Sequence, residues 1–516
     1  MMNTREDIVT HATEHTTKPE LVNRVKTRTD VCVIGGGISG LSAAYALTQR
    51  GRQVLLLERN EQVGGVLQTV REEGFTFDCG ANTVRVSNEE FERFVQGVGL
   101  GSLLIEADAS ANNRYIMRGG ALHPLKAHPI ALLRSPLLSW RAKLRLLAEP
   151  FVRPGAPAHT KQSGQGEHQH ESQDESIAAM LERRVGKEVV QYLVSPMLSG
   201  IYGTTPDHLS ARTVFPTLWM WEQQYGSLLK GMIAERFKRQ RSATAKAGSG
   251  SVARVVNFRG GMTTFVQAIA QHLAERVQTG VGVQSLRRTA NGWHLGTSFG
   301  LIECGSLVLA TDAHAAASLL RSASDTTCAL CSEAAHHLER VEYSSLALLH
   351  LGYKRAVVRR PLDSFGFLVP PNEGEPLLGS LWNSTIFPHT APSNYAAFTV
   401  FASERVTAEI ANVLSSAGSE AITACHPTLQ PVLNRFAEIM GIDPASPHPA
   451  VPEFFRLTLW KRGIPRYAVG YWQHEQAWSN LEAAYPSLRL VGNYRGGVSV
   501  ADCVNNARQA ALSLSA

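Results

Sequence analysis

With 516 residues, 44% apolar and 18% charged, the chain is long enough for two or three domains with sizeable cores, and its composition excludes a disordered or fibrous protein. Lys and Arg number 50 against 44 Asp and Glu, a net of +6, and no nucleic-acid motif accompanies that charge, which argues against nucleic acid as a partner. Seven scattered cysteines, an odd count, argue against a disulfide framework, and no apolar run reaches the roughly 18 residues that span a bilayer.

Residues 1–28 read as a polar N-terminal extension without a signal-like core. The apolar run Val31-Cys32-Val33-Ile34 then reaches Gly35, Gly36, Gly37, Ile38, Ser39 and Gly40 and opens an Ala/Leu-rich stretch, which predicts strand, tight turn and helix. Such a turn needs Gly35 for the bend, Gly37 so that backbone can approach a pyrophosphate, and Gly40 for close helix–strand packing. The phosphates would sit on the helix N-terminus. A second strand, Val54-Leu55-Leu56-Leu57, ends at Glu58, at the spacing where a carboxylate accepts hydrogen bonds from ribose hydroxyls. A lone Gly-x-Gly-x-x-Gly is a weak signal, but strand, helix, second strand and carboxylate in order predict a dinucleotide site. Arg59 and then Gly64, Gly65 and Val66 provide a second close pass of backbone, an extension that resembles the FAD proteins of the amine-oxidase type rather than NAD dehydrogenases.

Later segments read as returns to the same cofactor. Phe75-Thr76-Phe77-Asp78 alternates into Cys79 and the small-residue turn Gly80-Ala81-Asn82-Thr83, which brings N–H groups toward a flavin. After Arg259-Gly260-Gly261-Met262 comes a helix and then a short strand over 281–286, with Val283 offering backbone hydrogen bonds to adenine; Leu307-Val308-Leu309-Ala310 is the next buried strand. The third return, over 490–503, is a strand, a Gly-rich turn with Asn493, and a helix opening at Val498, Ser499 and Val500. Its N–H groups and dipole suit a flavin pyrimidine ring that gains negative charge on reduction.

Between the returns, residues 114–153 hold eight Lys/Arg against one Glu, which is more than the excess of the whole chain. The Leu-rich run 129–140, followed by Arg141, Lys143 and Arg145, fits either a helix lying on an anionic membrane surface or a packed helix pair with a solvated basic face. Stretches 154–173 and 238–251 read as polar surface inserts. Cys328 and Cys331 form one C-x-x-C without a second pair at zinc-site spacing, and read as two buried small residues on a helix.

The block Asp174-Glu175-Ser176, Arg183-Arg184-Val185-Gly186-Lys187-Glu188 and Ser199-Gly200-Ile201-Tyr202-Gly203-Thr204-Thr205-Pro206-Asp207-His208-Leu209-Ser210, continued by Glu222 and Tyr225-Gly226-Ser227, resembles the oxygen-dependent protoporphyrinogen oxidases. The resemblance runs through most of residues 30–516. It implies an α/β and α+β multidomain fold. A discontinuous Rossmann-like FAD-binding domain would occupy 29–106, 255–314 and 455–516, a mixed-sheet substrate domain 107–125 and 315–454, and a helical, membrane-associating domain 126–254.

The same resemblance implies FAD as cofactor, held by Gly35 through Gly40, Glu58, Arg59, Gly64, Gly65, Val66, Gly80, Ala81, Asn82, Thr83, Val283, Asn493 and Val498 through Val500, with no metal. It implies a tetrapyrrole substrate whose propionate meets Arg114, whose pyrrole N–H groups meet the Gly200 carbonyl, and whose rings lie against Leu368, Leu381 and Phe401. No catalytic acid–base group is called for, because a meso carbon between pyrroles can release hydride to flavin N5 with positioning and desolvation alone. Oxygen is the implied final acceptor. Peripheral membrane contact through 126–153 at the inner, cytoplasmic face, a second copy of the chain and ferrochelatase are the implied partners. Ala81 departs from the family's proline, and Ile201-Tyr202-Gly203-Thr204 from its Val-Tyr-Ala-Gly, whereas Asn82 matches the plant form. Oxidation of coproporphyrinogen III, of an amine or of a carotenoid, and a non-redox binding module on the same fold remain alternatives.

Overall fold

The computed structural model describes residues 25–86, 89–125, 135–153, 174–243, 254–323, 329–417, 422–442 and 451–514. The first large sheet is built from segments far apart in sequence. β1 (Val25–Ile34) lies between β2 (Val54–Leu57) and β13 (Gly300–Leu309), both parallel to it. β10 (Val277–Gln278) extends the sheet beyond β2, β19 (Leu488–Leu490) pairs with the C-terminal half of β13, and β11 (Val283–Thr289) with β12 (Gly292–Thr297) forms an antiparallel hairpin on its N-terminal half. The unbroken apolar runs arise because both faces of the sheet are covered. Val31, Val33, Val54 and Leu56 enter one core, and Cys32, Ile34, Leu55 and Leu57 enter the other.

The second sheet runs β18 (Phe454–Pro465), β14 (Tyr343–Lys354), β17 (Tyr395–Ala402), β16 (Leu377–Leu381), β15 (Ser364–Leu368), β7 (Asn113–Arg118), β8 (Ala121–Leu125). One face packs Phe367, Val400 and Met117 against helices Glu404–Ala417 and Gln430–Met440. Between the large sheets lie a hairpin of β3 (Thr69–Glu72) with β4 (Phe75–Asp78) and a small sheet in which β9 (Arg254–Phe258) separates β5 (Val84–Val86) from β6 (Leu104–Glu106). Helices Trp140–Leu147, Ile177–Val185, Ser195–Tyr202, Pro216–Tyr225 and Leu228–Ala243 form the third part. There a fully buried Arg184 donates to Glu222 Oε1 at 2.7 Å and to the carbonyls of Val152 and Gly226 at 3.0 and 2.8 Å.

Several expectations shift. Val25–Arg28 belong to the β1 ladder rather than to an extension, with Val25 opposite Leu301 and an Arg28–Glu303 ion pair at 3.0 Å; residues 1–24 lie outside the described residues. Helix Leu228–Ala243 carries the chain six residues into the expected insert at 238–251, because Lys, Arg and Gln are good helix formers as well as polar. The insert at 154–173 and residues 126–134 lie outside the described residues. The strand expected over 281–286 begins at Val283 and runs on to Thr289. β18, expected with the FAD-binding segments, is the edge of the second sheet. Cys331 sits buried on helix Ala329–Glu339 as expected and is disulfide-bonded, which the reading of two small buried residues did not include; Cys328 lies outside the described residues.

Candidate functional site

The first glycine turn joins β1 to helix Ile38–Thr48. At Gly35, φ is +106° and a Cβ would stand 2.6 Å from Ala310 O, while at Gly40 a Cβ would collide with Gly35 O. Gly37 differs: a Cβ there meets nothing within 4 Å. Open space at the one glycine expected to face a pyrophosphate, ahead of a helix start with no side-chain cap and no acidic residue in its first turn, is a cradle for an anion. Gly64 N donates to Gly36 O at 2.8 Å, Gly37 and Gly64 form an isolated bridge, and a Cβ on Gly65 would lie 3.5 Å from Gly37 Cα, so the double glycine stacks on the turn.

Glu58, at the end of β2, is buried, and its oxygens accept from Gly36 N at 2.6 Å and Asn60 N at 2.9 Å. Each carboxylate oxygen keeps a lone pair for a ribose hydroxyl, so the residue both braces the turn and fits a nucleotide. Arg59 follows it. Val281 N donates to Glu58 O at 2.9 Å, which brings the start of β11, with Val283, beside the same strand end.

Gly80 admits the carbonyl of half-exposed Val66, a contact that any Cβ would block. The turn Gly80-Ala81-Asn82-Thr83 is then tied on three sides. Trp460 Nε1 donates to Cys79 O at 2.7 Å, Asn257 Nδ2 to Asn82 O at 2.9 Å, and Asn383 Nδ2 to Asn82 Oδ1 at 3.0 Å. Asp78, whose carboxyl burial pushes up, accepts from Thr69 Oγ1 at 2.6 Å, Asn257 Nδ2 at 2.8 Å and Met262 N at 2.8 Å. At the C-terminal turn Tyr467 OH donates to Asn493 O at 2.8 Å and accepts from Gly497 N at 3.0 Å, and Tyr471 OH donates to Tyr494 O at 2.7 Å. Val498 leads to Ser499, whose hydroxyl caps helix Val500–Leu512 by accepting from Asp502 N. A self-capped start leaves the N–H groups of Val500 and Ala501 as that helix's free donors. The helix packs on helix Ile38–Thr48, with Val500, Cys503 and Val504 in the same core as Ile38 and Leu41.

The other expected residues share one face of the second sheet. Leu368 is in register with Gly379, and Gly379 with Phe401, while Leu381 stands two residues along from Gly379 on the same side. All three apolar side chains are half-buried, whereas Phe367 and Val400, which point the other way, are buried. Gly200 covers this face: a Cβ there would come 3.2 Å from Leu368 Cδ2. Arg114 lies on the same side at the β7 end, exposed, with its guanidinium 4.6 Å above the Phe365 ring, and Phe365 packs with Leu381. Burial against that ring and the charge of Arg85 lower its pKa.

Asp78, Asn257, Asn383, Trp460, Tyr467 and Tyr471 carried no sequence signal, because each acts on a segment remote in the chain. Tyr202, Arg212, Trp472, Glu475 and Gly497 also line a cavity of about 610 Å³ beside the C-terminal turn.

The family profile described as flavin containing amine oxidoreductase matches residues 38–514. The chain is 30% identical over 510 residues to the mitochondrial protoporphyrinogen oxidase of Nicotiana tabacum, covering 93% of this chain and 94% of that one. It is 25% identical over 500 residues to the coproporphyrinogen III oxidase of Bacillus subtilis (strain 168), covering 93% and 96%. A crystal structure from Exiguobacterium sp. 255-15 superposes with a TM-score of 0.70 at 22% identity, over 95% of this chain and 98% of that one.

Proposed function

The chain belongs to the flavin-containing amine oxidoreductase family, and on that premise we propose that it oxidises protoporphyrinogen IX to protoporphyrin IX with FAD and oxygen, releasing hydrogen peroxide. What supports this reading is one face of the second sheet on which Leu368, Leu381 and Phe401 are half-buried, with Gly200 packed against Leu368 and the Arg114 guanidinium over Phe365. A flexible tetrapyrrole with acid arms needs that combination of apolar wall and rim cation. Bound FAD supplies the hydride acceptor and passes the electrons to oxygen. The chain's own work is to bind, orient and dry the substrate. Arg114 takes a propionate, the Gly200 carbonyl accepts a pyrrole N–H, and the three apolar side chains exclude water from the meso carbons. The pyrrole nitrogens delocalise the cation left by hydride loss, so the reading calls for no side-chain base.

Anaerobic mixing of the holoprotein with protoporphyrinogen IX tests it, with bleaching of the flavin band and growth of porphyrin absorbance as the expected result. A flavin that stays oxidised overturns it. Coproporphyrinogen III is the second reading, favoured by the Bacillus subtilis relative, and a higher kcat/KM on that substrate selects it.

No helix among the described residues is long and apolar enough to cross a membrane. Trp140, Leu144, Leu147 and Phe151 are nevertheless exposed, Phe151 by 88%, beside Met232, Ile233 and Phe237 of helix Leu228–Ala243, whose first N–H groups are held by Glu149. With Arg141, Lys143 and Arg145 on the same short helix, this face supports docking on an anionic lipid surface. Trp140→Ala with Phe151→Ala is expected to abolish salt-sensitive co-sedimentation with vesicles containing phosphatidylglycerol. Unchanged sedimentation speaks for a solvated face.

A further inference from the structure

Beyond Arg114, Arg85 is a further cation near this face that makes no ion pair among the described residues. Arg85 is the middle residue of β5. Its neighbours Val84 and Val86 are buried in the core and Arg85 itself is exposed, so strand alternation turns it away from that core. It follows Asn82 by three residues, and Asn82 is bonded to Asn383, two residues beyond Leu381. β5 therefore carries the chain from the flavin-facing turn along the border of the substrate sheet.

Arg85 is also near the approach to Arg114. It is in register with Val255 of β9, and Val255 O accepts from Ala107 N on the other side, so Arg85 and Ala107 are two strand spacings apart, roughly 10 Å. From Ala107 the chain passes through the turn Ala109–Ala111 into β7 and Arg114. The acids of this neighbourhood are engaged elsewhere. Glu92 and Glu106 pair with Arg254, Asp108 accepts from Ser110 N, and Asp363 accepts from Tyr115 OH. Among the described residues no ion pair is made by Arg85 or by Arg114, and Arg114 has only a carbonyl contact to Asn112 O at 3.4 Å and the Phe365 ring. Partial burial first, and the charge of Arg85 second, lower the pKa of Arg114, and a shared dianion would offset both.

We propose that Arg85 is a second carboxylate ligand of this cleft, so that Arg85 and Arg114 together receive two acid arms borne on one side of the substrate. The proposal rests on the porphyrinogen reading and adds to it a reason for selecting substrates with paired, adjacent carboxylates over those with one.

The test is equilibrium binding of protoporphyrin IX, its monomethyl ester and its dimethyl ester to the FAD-loaded protein, followed by the porphyrin absorption band, in the wild type, Arg85→Ala, Arg85→Lys and Arg114→Ala. The wild type is expected to lose affinity with each esterification. Arg85→Ala is expected to bind the diacid about tenfold more weakly and to stop distinguishing diacid from monoester, with FAD content unchanged. Arg85→Lys restores part of the affinity, since it keeps the charge and loses the paired donors. Arg85→Ala with wild-type affinity and wild-type preference for the diacid overturns the proposal. A wild type that binds none of the three and oxidises no porphyrinogen overturns the substrate reading instead, and the proposal with it.

Discussion

Gly37 and Gly40 are three residues apart in one turn, yet substituting each should fail in a different way. At Gly37, φ is −71° and ψ 176°, a conformation open to any L-residue, and an added methyl meets no protein atom within 4 Å. At Gly40 the same methyl collides with Gly35 O and lies 3.1 Å from Ala310 Cβ, and neither a backbone oxygen nor a Cβ can rotate away. Overpacking of this kind costs about 1–3 kcal/mol, more when the obstacle is backbone, against a gain of about 1 kcal/mol from alanine's helix propensity. Gly40→Ala is therefore expected to lower the stability of the apoprotein itself by roughly 2 kcal/mol. Gly37→Ala should leave the apoprotein's melting temperature unchanged and act only on the ligand. A methyl between the turn and the pyrophosphate forfeits about 1 kcal/mol of helix-terminus attraction and about 2 kcal/mol from a charge-assisted hydrogen bond. The sum, about 3 kcal/mol, is a roughly hundredfold weaker Kd for FAD. Circular-dichroism melting of flavin-stripped protein reads the first quantity, and quenching of FAD fluorescence on titration reads the second. Wild-type FAD affinity in Gly37→Ala, or a melting temperature for its apoprotein as low as that of Gly40→Ala, would refute the assignment of the open space at Gly37 to the cofactor.

Arg114→Ala should weaken porphyrinogen binding by about 1.5–3 kcal/mol with FAD content unchanged; equal KM values in variant and wild type count against the propionate contact. His350 sits fully buried between Thr399 Oγ1 and Thr458 Oγ1, each 3.2 Å away, and burial lowers its pKa to about 3, against about 6.5 in an unfolded chain. Between those values the unfolded chain holds the proton and the native one does not, so native stability falls as pH drops below about 6.5, by roughly 2 kcal/mol at pH 5 relative to pH 7.5. Denaturant titrations at both pH values should show that loss shrinking in His350→Gln, and an identical pH dependence in the two proteins would mean that the imidazole is protonated in the fold.

The glycines of the candidate cofactor site stood out in the sequence because the requirements of that turn fall on backbone. A turn at φ +106°, a helix start stacked against a strand and a double glycine lying on that turn can each be met almost solely by glycine, so Gly35, Gly40, Gly64 and Gly65 announce themselves. The candidate substrate face was suggested only by family resemblance. Leu368, Leu381 and Phe401 are ordinary apolar strand residues, and nothing in their identity distinguishes them from Phe367 and Val400, which fill the core. The distinction appears once the register is known, when one set is half-buried on the face that Gly200 covers and the other is buried beneath the helices. Polar residues misled in the opposite direction. Val25–Arg28 and Lys238–Ala243 looked like loose chain because they are rich in Lys, Arg and Thr, but a strand and a helix take the same residues.

The most specific sequence block, 174–227, identified the family, yet its side chains do structural work around the cleft. Asp174 accepts from Ser210 Oγ at 2.8 Å and from Gly470 N at 2.7 Å, and Ser210 N donates to Tyr467 O at 2.7 Å. Tyr467 in turn holds Asn493 and Gly497 at the C-terminal turn. A chain of hydrogen bonds thus runs from the helical part to the turn expected to face the flavin, across nearly 300 residues of sequence. Arg183 and Arg184 converge on Glu222 and lock helix Ile177–Val185 to helix Pro216–Tyr225. A buried pair of this kind is costly to break from one side, about 3–5 kcal/mol, because the remaining charge is left buried without its partner. The glycines answer to the backbone geometry of one turn, and the clamp answers to the packing of helix Ile177–Val185 on helix Pro216–Tyr225.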